Sequence, residues 1–390
     1  MYNILKLNSI SNKIANIFNA DYNVSDECKN PDAILVRSYN MADYIIGDKL
    51  RAVGRAGAGV NNIPLDRMTN AGVVVFNTPG ANANAVKELV ICSLFLASRD
   101  IISGIEWANS LSSDNSDVSK TVEKGKAKFA GSEIAGKTLG VIGLGAIGAK
   151  VALSAKALGM RILGSDPYIS DANRNAITKC GELVSLDELV SKSDYITLHI
   201  PYTGSNKWML NSSLFNKMKN GVKIINMSRA ELVNTIDLKA AINDGIIGCY
   251  VVDFPTSDIL NTKGIIAIPH LGASTEEAED NCAVMVAKQI KDFLESGNII
   301  NSVNFPSIVV DKQTKNRLIV ICMPKNNIRS GIESILKDLK FSISYVENTN
   351  IGYALVDTEI DICKVSSSNI NLFAEISKLL GVVSLYSINS

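Results

Sequence analysis

Gly143-Leu-Gly145-Ala-Ile-Gly148 stands directly after the apolar run Leu139–Ile142 and directly before a stretch of helical periodicity. A strand, a glycine turn and a helix in that order leave few folds open. The first glycine permits the tight turn, the second lets a pyrophosphate approach bare backbone, and the third lets helix pack closely on strand. The N–H groups that open the helix, with Ala146 and Ile147 in the turn, are then aimed at phosphate. Asp166 lies 21 positions beyond Gly145 at the end of the next apolar run, where a carboxylate accepts from the hydroxyls of an adenosine ribose. No Arg or Lys occurs in the following Pro167-Tyr-Ile-Ser170, which favours NAD over NADP. A turn-forming Asp before proline is the plainer reading of the same residue.

The chain has 390 residues, enough for two or three cores. Short apolar runs alternate with helical stretches from Ala33–Val36 through Ile265–Ile268, the pattern of parallel sheets covered by helices. Strands are expected at 139–142, 161–165, 195–200, 223–227, 250–252 and 265–268, and one long helix at 85–105. The polar stretch Ser110–Lys128 reads as a loop or boundary. Ser185-Leu-Asp-Glu188 and Ser274-Thr-Glu-Glu277 read as capping boxes, the second opening a long helix that ends near Gly297. After Asn304-Phe-Pro306 the order becomes βαββαβ, with strands at 317–323, 341–347, 353–358 and 382–386 and helices at 328–339 and 369–380, which implies a ferredoxin-like appendage.

Lys plus Arg and Asp plus Glu both total 39, so no overall field draws the chain to nucleic acid or an anionic membrane. Small-molecule partners are expected. The seven cysteines form no CxxC pair, which argues against a disulfide frame or a metal knuckle. No apolar run approaches the roughly 18 residues that cross a bilayer, and the N-terminus lacks the pattern of a secretory signal, so a cytoplasmic location is expected.

The sequence contains two histidines, His199 and His270. His199 sits inside an apolar strand and reads as structural. His270 ends the run Ile265–Pro269 before a Gly-Ala-Ser-Thr turn, where residues beyond parallel strands face a ligand crevice. It is the expected acid/base. Arg229 closes the run Ile224–Ser228 and suggests bidentate anion recognition, with a solvated surface role as the alternative. Asp253 closes Cys249–Val252 and reads either as an acceptor for a carboxamide or catalytic group, or as a cap. Arg55-Ala-Gly57-Ala-Gly59 presents bare backbone suited to a carboxylate, or a tight turn after a strand.

Together these segments, with Ser228-Arg-Ala-Glu-Leu-Val233, Pro269-His-Leu-Gly-Ala-Ser-Thr275 and Asn301-Ser-Val-Asn-Phe-Pro306, resemble the D-2-hydroxyacid dehydrogenases, and within them the phosphoglycerate branch. The resemblance implies an α/β architecture in which a Rossmann-type nucleotide-binding domain, residues 99–273, is inserted in a flavodoxin-like substrate domain, residues 1–98 and 274–306. A small α+β ACT-like regulatory or assembly domain follows at 314–390. It implies NAD-dependent oxidation of 3-phospho-D-glycerate to 3-phosphohydroxypyruvate, as in serine biosynthesis, by a homodimer or homotetramer. The alternatives are a dehydrogenase of another D-2-hydroxy acid and a catalytically weakened NAD sensor.

By motif match Arg229 would hold the substrate carboxylate and hydroxyl oxygen, His270 would take the hydroxyl proton and Asp253 would hold the nicotinamide carboxamide. Arg37, Ser38, Arg55, Gly57, Ala58, Gly59 and Asn82 match positions that contact phosphate or carboxylate. The family's glutamate that orients the imidazole is replaced by Ser257, with Asp258 next and expected to substitute with a shorter reach. A neighbouring carboxylate shifts a pKa by roughly 1 to 3 units, so its loss would move His270 toward the neutral form. Ala230 replaces the glycine after the arginine. The ACT serine site would fall on Cys322, Pro324 and Ser342, so no serine feedback through it is expected.

Overall fold

The computed structural model describes residues 1–112, 117–324, 327–360 and 372–389. The chain divides into two compact units, 1–81 with 279–390, and 82–278.

In the first unit, β1 (Tyr2–Leu7), β2 (Tyr22–Ser25), β3 (Ala33–Val36), β4 (Ala52–Arg55) and β5 (Val74–Phe76) form one parallel sheet in the order β2-β1-β3-β4-β5. That is the flavodoxin order. Its central runs, such as Ala33-Ile-Leu-Val36, are buried throughout because both faces of a parallel sheet are covered. The C-terminal strands β13 (Asn316–Cys322), β14 (Phe341–Glu347), β15 (Gly352–Thr358) and β16 (Val382–Asn389) make an antiparallel sheet in the order β14-β15-β13-β16.

This small sheet, expected as a separate appendage, lies within the first unit. Leu318, Val320 and Cys322 face Ile328 and Ile332 of its own helix. Ile319 and Ile321, on the opposite face, join Val286, Ile290 and Phe293 of the helix Glu276–Ser296 in one core. Tyr353 Oη donates to Gly297 O at 2.8 Å across the same junction, where Gly297 ends that helix with φ 75°. Of the expected helix at 369–380, residues 369–371 lie outside the described residues, and the helix runs Leu372–Ser377.

In the second unit, β6 (Thr138–Ile142), β7 (Arg161–Ser165), β8 (Glu182–Leu183), β9 (Tyr195–Leu198), β10 (Val222–Asn226), β11 (Ile247–Val252) and β12 (Ile265–Ala267) are ordered β12-β11-β10-β9-β6-β7-β8. Every pair is parallel. This is the doubly wound order with one added strand, and it reverses between β6 and β9, where such sheets bind ligand.

Four expectations need correction. The helix expected at 85–105 is two, Ala83–Ser98 and Ile101–Asn109, because Arg99 turns to extended backbone with φ −133°. The first packs Val86, Val90 and Leu94 against Ala149 and Ala152 of the helix Gly148–Ala157, so it belongs to the nucleotide-type unit, not with residues 1–81. The polar stretch before Lys128 contains the helix Val118–Gly125, capped by Asp117 accepting from Lys120 N; residues 113–116 lie outside the described ones. The second expected capping box, Ser274–Glu277, gives way to a single cap one residue later: Thr275 Oγ1 accepts from Ala278 N at 3.1 Å, and Ala278 has no polar side chain to return the bond.

Candidate active site

The glycine turn leaves β6 with Gly143 at φ 87°, where a side chain would meet His199 O at 2.6 Å. A Cβ on Gly148 would stand 1.9 Å from Gly143 O, so the helix is seated hard against the strand end. At Gly145 a Cβ would enter open space, which leaves the backbone approachable. Asp166 clasps this loop, its carboxylate accepting from Leu144 N and from Tyr168 N, each at 2.8 Å. A carboxylate offers about four acceptor sites, so two remain for a ribose. These residues fit a dinucleotide.

Three strands of the same sheet deliver the remaining groups from their carboxyl ends. Arg229 follows β10 in extended backbone. Buried Asn226 holds it there, with Nδ2 donating to Arg229 O at 2.8 Å and Oδ1 accepting from Ser228 N at 3.1 Å. Arg229 Nη1 donates to Ser228 O at 2.7 Å. His270 follows β12 and is exposed. The Phe254 ring brings the two together: the Arg229 guanidinium carbon lies 5.2 Å from its centroid and the His270 ring 4.2 Å. A guanidinium and an imidazole thus share one aromatic support.

Asp253, next to Phe254, is 1% exposed. Its Oδ1 is buried without a hydrogen-bond partner, while Gly272 N–H reaches the carboxyl. Burial pushes its pKa from 3.8 up to about 6, against the opposing pull of nearby Arg229. A buried acceptor left open is unusual in a folded chain and suits an incoming donor such as a carboxamide.

His199 behaves differently. Burial lowers its pKa to about 3 and keeps the imidazole neutral, with Nε2 3.0 Å from Thr197 Oγ1. The carboxylate of Asp258 bonds Thr256 Oγ1 at 2.6 Å and Thr235, and lies 4.0 Å from Lys239 Nζ. These bonds hold its pKa below the ordinary carboxylate value. They tie the carboxylate to the turn that Thr256 begins and to Thr235.

In the first unit Arg37 and Arg55 extend from β3 and β4, and Arg55 Nε donates to Arg37 O at 3.1 Å. Gly57, at φ 151°, leaves the space where a Cβ would stand 1.9 Å from Arg55 Nη1. Ser38 N donates to Asn8 Oδ1 at 3.2 Å, and Ala58 O accepts from Asn77 Nδ2 at 2.6 Å, so the Ser38 and Gly57–Gly59 segments are tied in place. Asn82, in the second unit, precedes the helix Ala83–Ser98 with Oδ1 buried and unpaired. Phe254, Asn226 and Glu279, which pairs with Arg37 at 2.5 Å, had no place in the sequence reading. For Phe254 the available signal was its position between Asp253 and Pro255.

Among the described residues no helix is long and apolar enough to cross a membrane, and no cluster suited to a metal ion is found. Residues 105–272 match the model of the D-isomer specific 2-hydroxyacid dehydrogenase, NAD binding domain. The D-3-phosphoglycerate dehydrogenase of Synechocystis is 39% identical over 298 residues, covering 73% of this chain and 51% of that protein. That of Archaeoglobus fulgidus is 34% identical over 290 residues, covering 71% and 52%. The chain therefore spans about half the length of the curated relatives it matches. The NAD+-bound crystal structure of 3-phosphoglycerate dehydrogenase in Entamoeba histolytica superposes with a TM-score of 0.62 at 27% identity, over 78% of this chain and 98% of that one. With the glycine turn, the doubly wound sheet and these relatives in agreement, the chain belongs to the D-isomer specific 2-hydroxyacid dehydrogenase family and binds NAD.

Proposed function

We propose that the chain oxidises 3-phospho-D-glycerate to 3-phosphohydroxypyruvate. The observation that carries this reading is the convergence of Arg229 and His270 on the Phe254 ring, beside the open carboxylate of Asp253. NAD, when bound, supplies the hydride acceptor. Arg229 holds the substrate carboxylate and the C2 oxygen through its guanidinium fork, and lowers the cost of charge building on that oxygen. His270 takes the hydroxyl proton on an imidazole nitrogen. Asp253, ionised above about pH 6, offers Oδ1 to the carboxamide. Arg55 and Arg37, with Ser38 and the Gly57-Ala58-Gly59 backbone, hold the phosphate, and Asn82 offers its own polar side chain to the substrate.

This reading includes a homodimer or homotetramer. Ile101, Ile102 and Ile105, exposed on the helix Ile101–Asn109, supply apolar surface for a second copy. One observation favours a dehydrogenase of another D-2-hydroxy acid: Arg37 is already paired with Glu279.

The test is NADH formation at alkaline pH from a panel of phosphorylated, plain and dicarboxylic D-2-hydroxy acids. Phosphoglycerate should give the highest kcat/KM, and His270→Gln should cut kcat by about 10² to 10⁴, the usual worth of a positioned acid/base. NAD bound without turnover of any acid would turn the reading into that of a sensor.

A further inference from the structure

Arg37 and Arg55 leave neighbouring strands whose register pairs Val36 with Arg55, so their guanidinium groups share one end of the sheet. The helix Glu276–Ser296 brings Glu279 and, one turn later, Cys282 to the same place. Glu279 Oε1 lies 2.5 Å from Arg37 Nη1, with the side chains 43% and 30% exposed. The buried Cys282 thiol lies within the electrostatic reach of Arg55, Arg37 and Glu279 together. A carboxylate therefore stands inside the cation cluster that the proposed function gives to the substrate's phosphate.

We propose that Glu279 is a built-in stand-in for the anionic tail of the substrate. Resting on the phosphorylated-acid reading, the idea is an exchange. In the empty site Glu279 neutralises Arg37 and holds its guanidinium extended. An arriving phosphate, with more charge and three acceptor oxygens, takes the carboxylate's place. A half-exposed pair is weakly held, so the exchange is cheap and reversible. An acid with a neutral hydroxymethyl tail leaves the pair intact. Glu279 thus raises KM for anionic tails alone, and it returns to Arg37 as the phosphorylated product leaves.

Steady-state kinetics of the full chain with 3-phospho-D-glycerate and D-glycerate test this, using wild type, Glu279→Gln, Arg37→Gln and the double variant. Glu279→Gln should lower KM for the phosphorylated acid about fivefold, the size of a weak surface pair. The effect should fall on KM rather than kcat, spare D-glycerate and vanish in the Arg37→Gln background. A raised KM, an equal change for both acids, or an effect that survives without Arg37 would overturn the proposal. If wild type oxidises no phosphorylated acid, the functional reading fails separately, and the exchange is read by calorimetric titration with inorganic phosphate. Glu279→Gln must then bind phosphate more tightly than wild type, and equal or weaker binding refutes the exchange.

Discussion

In the C-terminal sheet Arg317 and Asp357 are 1% and 3% exposed, and all five guanidinium N–H groups are used. Nε and Nη2 donate to the two Asp357 oxygens at 2.7 and 2.8 Å, Nη1 to Ser296 O and Val310 O, and Nη2 also to Asp311 O. Beyond the carboxyl ends of the seven-stranded sheet, Asp253 is equally buried, yet one of its oxygens has no partner and its pKa rises to about 6. Both regions withdraw charge from water. One saturates it and becomes a joint between a small sheet and the core beneath; the other leaves an acceptor open at the cost of local stability. The difference separates buried charge that is fully paired from buried charge that keeps an acceptor unpaired.

The largest effect should come from breaking the saturated joint. Asp357→Ala leaves a buried guanidinium unpaired and should destabilise the first unit by about 3–5 kcal/mol in denaturant unfolding. A loss under about 1 kcal/mol would mean that the pair sits in water, and the contrast with Asp253 would collapse.

At Asp253 the sign reverses. Its folded pKa lies above the ordinary 3.8, so the folded state holds the proton more tightly, and stability falls as pH rises through the interval up to about 6. At pH 7.5 the open carboxylate then costs about 2–3 kcal/mol. Asp253→Asn should recover much of that at pH 7.5 and little at pH 4, read from thermal melts across pH without NAD. Destabilisation at pH 7.5 would show that Oδ1 already has a partner.

Local chemistry was legible from sequence where neighbours decide it. The tasks of Gly143, Gly145 and Gly148 follow from backbone geometry within six positions, and the fully buried runs Ala33–Val36 and Leu139–Ile142 read directly as parallel strands. The break at Arg99 was not legible, because Ile101, Ile102 and Ile105 continue the apolar periodicity although they are exposed. Nor was the meeting of Arg229 and His270 on Phe254, which depends on three strand ends lying side by side. Glu279 reads as one more charge on the polar face of a long helix. The double-sided packing of the C-terminal sheet did leave a trace: Leu318–Cys322 is apolar without alternation, the mark of a strand covered on both faces.

The central claim is that the chain keeps a buried carboxylate open for its cofactor, and a carbon-detected NMR titration of the Asp253 carboxyl group, without and with saturating NAD, tests it most directly. The account predicts a midpoint near 6 in the free protein, as burial dictates, and a clear fall once NAD supplies a donor to Oδ1. A midpoint near the ordinary 3.8 in the free protein, or one that NAD leaves unmoved, would contradict it.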